Sequence, residues 1–161
     1  RWFAKEVFPR VRAVAGDAVF VIVGARPSRE VQALSSLPGV LVTGAVRAIR
    51  PYLAHARVAV APMRIARGVQ NKVLEAMAMA RPVVATPVAV EGIEIAGNAG
   101  LEIAASSAEF AEKALLYLKA PGADRFMHSR RWVCRRYDWE HNLEKLDEHL
   151  GVPQPEQRHM A

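Results

Sequence analysis

The chain has 161 residues, 52% hydrophobic and 24% charged, which is typical of a single folded domain and excludes a disordered chain. The net charge of +6 favours an anionic partner, although arginine as the ordinary surface cation would explain it equally well. A single cysteine, Cys134, excludes an internal disulfide, and no apolar stretch is long enough for a membrane span or resembles a signal peptide. The cytoplasm is therefore the expected location.

The hydrophobic pattern predicts helices that alternate with short strands along most of the chain. Helices are predicted over 1–15, 28–37, 48–56, 107–119 and from Asn71 onward, and strands over 19–23, 40–43, 58–61, 83–86 and 101–103. The continuous apolar run at 19–23 is typical of a strand buried on both faces. This alternation predicts an α/β fold, a Rossmann-like doubly wound parallel sheet.

The two ends of the chain differ from this pattern. A cationic helix is predicted over 123–137, and an amphipathic helix over 139–150 precedes a frayed tail. At the amino end, helical spacing has already begun at Phe3 with no capping residue ahead of it. We therefore expect the sequence to be a piece of a longer protein.

In a sheet of this kind, ligands bind beyond the carboxyl ends of the strands. The loops at 24–27, 44–47, 62–68 and 87–92 fall there and are expected to line one crevice. The third loop contains Gly68 and precedes a helix N-terminus, whose free N–H groups and positive dipole end suit a phosphate. On that helix Asn71, Lys72 and Glu75 share one face. Spacing alone slightly favours an ordinary Lys72–Glu75 surface ion pair, whereas the glycine loop favours a site.

Several catalytic and binding patterns are absent from the sequence. It contains neither the dinucleotide fingerprint GxGxxG nor the phosphate loop GxxxxGK[ST]. The five histidines lack metal-ligand spacing, so no metal site is predicted. The cationic helix has Trp132 as its one base-stacking candidate, and nucleic acid is therefore not an expected partner.

The segments around the glycine loop resemble a known family. The order of glycine loop, Lys72, LEAMA at 74–78 and RPVVAT at 81–86 resembles the carboxyl-terminal half of a GT-B glycosyltransferase of family 4. The resemblance covers most of the chain, including the strands at 19–24, 40–44 and 58–62 and the YDW at 137–139. GVQNKVLE at 68–75 is similar to sugar transferases associated with exosortase-type exopolysaccharide loci.

This resemblance implies a nucleotide-diphospho-sugar as donor substrate, with transfer that retains the anomeric configuration and uses no cofactor and no metal. Glu75 matches the glutamate that holds the ribose hydroxyls, and Lys72 would supply a cation at the phosphates. The remaining implied contacts are the backbone amides of Gly68, Val69, Gln70 and Asn71 with the diphosphate and sugar, and the main chain of Gly44, Val46 and Arg47 with the base.

The chain departs from the family pattern in two ways. Arg67 stands where the family has its first glutamate, so handling of the donor sugar is expected to be altered. The amino-terminal acceptor domain and the first strand of this domain are missing, and catalysis takes place between the two halves. We expect residues 1–150 to form a Rossmann-like nucleotide-sugar-binding domain and 151–161 a flexible tail, and the chain alone to be inactive.

The resulting hypothesis is that the chain is the donor-binding half of a retaining hexosyltransferase that builds a cell-surface polysaccharide or glycolipid. Its expected partners are the donor, the missing amino-terminal domain and peripherally the anionic inner face of the membrane. The alternative is a non-catalytic module that docks onto a partner or an anionic membrane through its basic helix. A sugar-nucleotide epimerase half is a third interpretation, but it needs catalytic carboxylates and histidines that the sequence does not place.

Overall fold

The computed structural model describes residues 1–94, 100–119 and 126–138. Its strands are β1 (Phe20–Val23), β2 (Val40–Gly44), β3 (Ala59–Ala61), β4 (Val83–Ala85) and β5 (Leu101–Ile103). Its α-helices are α1 (Phe8–Val14), α2 (Arg29–Gln32), α3 (Arg50–His55), α4 (Asn71–Ala78), α5 (Ser107–Lys119) and α6 (Met127–Arg136). A π-helical segment, Phe3–Val7, leads into α1, and 3₁₀ turns occupy Ala33–Ser36 and Pro87–Ala89.

All described strand pairs are parallel, and they form two small sheets. One has the order β1–β2, with Val21 opposite Leu41, and the other has the order β3–β4–β5. In the second sheet Val84 lies opposite Val60 on one side and Glu102 on the other. The predicted α/β class with a Rossmann-like alternation of parallel strands and helices is confirmed.

An aromatic cluster holds the first helical segment, α5 and β1 together. The rings of Phe3 and Phe20 have centroids 4.6 Å apart, and Phe3 meets Phe110 of α5 edge-on at 5.5 Å. Val84 of β4 belongs to the same buried cluster, so this core extends from one sheet to the other. Buried aromatic pairs of this geometry add about 0.5–1.5 kcal/mol beyond the burial of their surface.

A second core lies under α4. Val73, Ala76 and Met77 are completely buried against the β3–β4–β5 sheet, and Val133 of α6 packs into the same cluster. This apolar stripe follows from the three- and four-residue spacing of an amphipathic helix. Burial of the Met77 side chain alone is worth about 1.5–3 kcal/mol. It fixes α4, and with it the loop ahead of the helix.

Two predictions need correction or restriction. The prediction that the strand at 19–23 is buried on both faces is wrong, because Val19 is 63% and Val21 38% exposed. The physical reason is a cavity beside β1, which Val19 and Val21 help to line. The cationic helix is found at Met127–Arg136, whereas the helix predicted over 139–150 and the tail lie outside the described residues. In the part of the chain that the structure describes, no helix has both the length and the apolar character to cross a membrane.

Candidate functional site

The loop between β3 and α4 is shaped by Gly68 and Gln70. Gly68 has φ +64°, a left-handed conformation that glycine adopts without steric cost. The Gln70 amide donates hydrogen bonds to the carbonyls of Arg67 and Gly68, at 3.1 and 2.9 Å. The side chain of Gln70 therefore turns back onto the loop, and no side-chain hydrogen bond caps the start of α4.

These two hydrogen bonds also orient the peptide N–H groups of the loop. In a planar trans peptide the N–H points opposite to the carbonyl of the preceding residue. Because the carbonyls of Arg67 and Gly68 point toward Gln70, the N–H groups of Gly68 and Val69 point away from it. Neither N–H has a protein acceptor within the described residues. They join the uncapped N-terminus of α4 as free donors, the arrangement that binds anions elsewhere.

Thr86 fixes the beginning of this loop, a role that the hydrophobic pattern of the sequence did not indicate. Its backbone N–H donates to the carbonyl of Ala61 at 3.1 Å, and its hydroxyl donates to the carbonyl of Met63. Thr86 is buried, and its hydroxyl bond to the half-buried Met63 is partly shielded from water. The only available signal was a hydroxyl residue that ends the apolar strand ahead of Pro87. Its contacts join the carboxyl end of β4 to the end of β3.

The four loops predicted to share one crevice are joined in two pairs. A Cβ built on Gly92 would lie 3.4 Å from Cγ2 of Val69, so the loop after β4 touches the loop before α4. On the other sheet, the N–H of Gly24 donates to the carbonyl of Gly44 at 3.3 Å. The ends of β1 and β3 meet at a shared cavity, which Val23, Pro62, Met63 and Lys72 help to line.

The polar face of α4 is available to a ligand. Asn71, Lys72 and Glu75 are exposed, opposite the buried stripe of the same helix. Within the described residues neither Lys72 nor Glu75 has an ion pair or a side-chain hydrogen bond, so the surface ion pair that spacing favoured is not formed. At a rise of about 1.5 Å per residue, Glu75 lies roughly 6 Å along the axis from Asn71.

The other predicted contact residues lie in the loop before α4 and at the end of β2. Arg67 is exposed in the loop, and its carbonyl is engaged by Gln70. Gly44 has φ +70°, and its carbonyl accepts from Gly24 and from the hydroxyl of Thr43. Arg47 is exposed and Val46 half-buried.

The basic helix α6 packs against α4 and uses two of its arginines within the protein. Arg130 donates to the carbonyl of Ala78 at the end of α4. Arg136 donates twice to the Glu94 carboxylate, at 2.9 and 2.5 Å, and these bonds and its positive charge hold the pKa of Glu94 below the usual range. Arg131 and Arg135 are exposed. The docking alternative therefore has fewer free cations on the described helix than the sequence suggested.

No three His, Cys, Asp or Glu side chains are grouped for a metal ion within residues 1–94, 100–119 and 126–138. The family model described as Glycosyl transferases group 1 matches residues 1–120, a span that includes β3, the glycine loop, α4 and β4. No curated protein and no solved structure matches the chain. The chain belongs to the group 1 glycosyl transferases.

Proposed function

We propose that the chain binds the nucleotide-diphospho-sugar donor of a glycosyltransferase at the N-terminus of α4. The observation that carries this proposal is the combination of loop amides and an uncapped helix N-terminus with two exposed charges, Lys72 and Glu75, that have no partner among the described residues. A diphosphate needs N–H donors and a cation, and a ribose needs an acceptor for its hydroxyls. The N–H donors, the cation and the acceptor all lie between Gly68 and Glu75, in the loop and the first turn and a half of α4.

Each group has a stated role in this proposal. The amides of Gly68, Val69, Gln70 and Asn71 receive the diphosphate, and the ammonium of Lys72 neutralises part of its charge. The Glu75 carboxylate accepts hydrogen bonds from the ribose. The main chain of the segment 44–47 meets the base edge. Arg67 is a cation, so it assists the phosphates and does not accept hydrogen bonds from the sugar hydroxyls as a glutamate would.

The larger setting is also a proposal. Residues 1–150 form the donor half of a retaining hexosyltransferase of family 4, related to the exosortase-associated enzymes and acting in the synthesis of a cell-surface polysaccharide or glycolipid. The protein works in the cytoplasm at the inner face of the membrane. The chain alone binds donor without transferring sugar, because transfer needs an acceptor domain on the other side of the donor.

Titration calorimetry with UDP, GDP and ADP tests the binding step. The unchanged chain is expected to bind one of the three, and Glu75→Ala to weaken that binding by about 1–3 kcal/mol through loss of a charged hydrogen bond. Glu112→Ala is the matched control, because Glu112 is also an exposed helical carboxylate but lies on α5. Equal affinity of Glu75→Ala and Glu112→Ala would refute the ribose role. Absence of binding to all three nucleotides would refute the proposal for this chain.

A further inference from the structure

The loops that follow β1 and β2 are joined where the two strands end. The N–H of Gly24 donates to the carbonyl of Gly44 at 3.3 Å, and Gly44 turns the chain there with φ +70°. Arg26 lies two residues past Gly24, so its Cα is at most about 7 Å from that of Gly24. The segment 44–47, which meets the base in the proposed donor site, begins at the other end of this hydrogen bond. Arg26 therefore lies alongside the base segment.

The backbone of Arg26 is held from both sides in an unfavourable conformation. Its φ is +48°, in the left-handed region that residues other than glycine adopt uncommonly. The hydrogen bond between the two strand ends fixes the chain ahead of Arg26. After it, the Gln32 amide donates to the carbonyl of Pro27 at 3.0 Å, and Ser28 caps α2. Residues held in strained conformations by their surroundings are concentrated at ligand sites, so this one points to a function.

The charged end of Arg26 is available although its backbone is fixed. Arg26 is exposed, and its guanidinium has no hydrogen bond or ion pair among the described residues, whereas that of Arg12 donates to the carbonyl of Gly16 at 2.7 Å. Arg47 of the base segment is also exposed, but no backbone hydrogen bond to another described residue holds the chain at 45–48. Arg26 thus combines an available charge with a fixed position, which reduces the ordering needed when a ligand binds.

We propose that Arg26 reads the base of the donor nucleotide and selects guanine. This inference rests on the proposed function, in which the donor lies at α4 and the segment 44–47, and it adds which nucleotide is bound. A guanidinium is a planar fork of N–H donors and has no acceptor. Guanine presents two adjacent acceptors, O6 and N7, on one edge, and an arginine fork binds this edge with two hydrogen bonds.

Adenine and uracil lack this pair of acceptors. Adenine has N7 but carries the N6 amino group where guanine has O6, so one arm of the fork would meet another donor. Uracil presents the single acceptor O4 on the corresponding edge. The ammonium of lysine has the same charge as a guanidinium but is a point charge without the planar fork. The preference for guanine therefore depends on the shape of the guanidinium, whereas its charge attracts every nucleoside diphosphate alike.

Titration calorimetry with base analogues tests this inference. The unchanged chain is expected to bind GDP and inosine diphosphate with Kd values about tenfold or more below those for UDP and ADP, since hypoxanthine keeps both O6 and N7. The analogue 7-deaza-GDP, which has C–H in place of N7, is expected to bind about tenfold more weakly than GDP. Arg26→Lys keeps the charge and is expected to raise the Kd for GDP about tenfold, while the Kd values for UDP and 7-deaza-GDP change by about twofold or less.

Arg29→Lys is the matched control, because Arg29 is exposed three residues later at the start of α2, and it should keep the preference for GDP. Equal affinity of the unchanged chain for GDP and UDP, with Glu75→Ala weakening both, would overturn the choice of guanine and leave the donor site standing. Failure of every nucleotide to bind would refute the donor site and this inference together. If Arg26→Lys does not fold by urea denaturation, equal affinity of the unchanged chain for GDP and 7-deaza-GDP would still overturn the inference.

Discussion

β1 and β4 have similar sequences and different surroundings. Both are short runs of apolar residues, yet Val83–Ala85 is completely buried and Val21 in β1 is 38% exposed. β4 has a parallel neighbour on each edge, whereas β1 has β2 on one edge and a cavity on the other. Burial of a strand in a parallel sheet therefore depends on its neighbours as well as its own composition. The sequence of β1 suits an environment that the described residues provide only in part.

The carboxyl ends of the two sheets differ in the same way. In the β3–β4–β5 sheet, Thr86 donates across to the carbonyl of Met63 and so holds the loop that leads to α4. In the β1–β2 sheet, the hydroxyl of Thr43 donates to the carbonyl of the next residue, Gly44, at 3.0 Å. The first threonine connects two segments and the second stabilises its own turn.

The difference in burial between β1 and β4 can be measured by replacing one valine in each strand with alanine. Of the variants considered, we expect the one in β4 to lose the most free energy of unfolding. Val84→Ala removes fully buried methyl groups and should cost about 2 kcal/mol in the free energy of unfolding, with the cavity left behind included. Val21→Ala should cost about 1 kcal/mol or less, since water already reaches that side chain. Urea denaturation of both variants gives the comparison. Equal losses would show that β1 is as well enclosed as β4.

The two threonines provide the next test. Thr86→Val leaves the half-buried carbonyl of Met63 without its hydroxyl donor and should cost about 1–2 kcal/mol. Because the loop to α4 is then less firmly held, nucleotide affinity should fall as well. Thr43→Val is the matched control and should change stability by about 0.5 kcal/mol or less, since its bond spans one residue at a partly solvated turn. Stability is measured by urea denaturation and affinity by calorimetry. If the nucleotide affinity of Thr86→Val equals that of the unchanged chain, the hydrogen bond from Thr86 to the loop does not contribute to nucleotide binding.

The sequence predicts features that arise from local spacing. The buried stripe Val73, Ala76 and Met77 follows from helical periodicity, and Ser28 caps α2 by accepting from the N–H of Val31 at 3.4 Å. The parallel pairing follows from strands that alternate with helices. These features depend on residues a few positions apart.

Features that depend on distant residues were not predictable in this way. Thr86 meets Met63 across 23 residues, and Glu94 meets Arg136 across 42. The exposure of Val21 depends on which strand stands beside β1, and hydrophobic periodicity contains no information on that neighbour. In the candidate site, the exposed face of α4 was predictable from spacing, whereas the return of the Gln70 side chain onto its own loop was not. The roles of Glu75, Lys72 and the loop amides stay predictions.

The ion pair between Glu94 and Arg136 gives the smallest expected effect, because both groups are exposed and salt screens them. Its hydrogen bonds lower the pKa of the folded-state carboxyl below its ordinary value of 4.5. A lowered folded-state pKa stabilises the fold above about pH 4.5, and this stabilisation is lost as the pH falls through the lowered value. The ion pair holds α6 against the loop after β4, in the half of the molecule that carries α4.

Glu94→Gln removes the titrating group, so part of the loss of stability between pH 7 and pH 3 should disappear in this variant. Glu91→Gln is the control, since Glu91 is exposed three residues earlier in the same loop. Urea midpoints at the two pH values, each at low and at high salt, measure the difference. The Glu94→Gln effect should shrink at high salt, because the attraction is screened. An identical pH dependence in the two variants would mean that α6 is held to this half by the packing of Val133 and by Arg130, without a contribution from the ion pair.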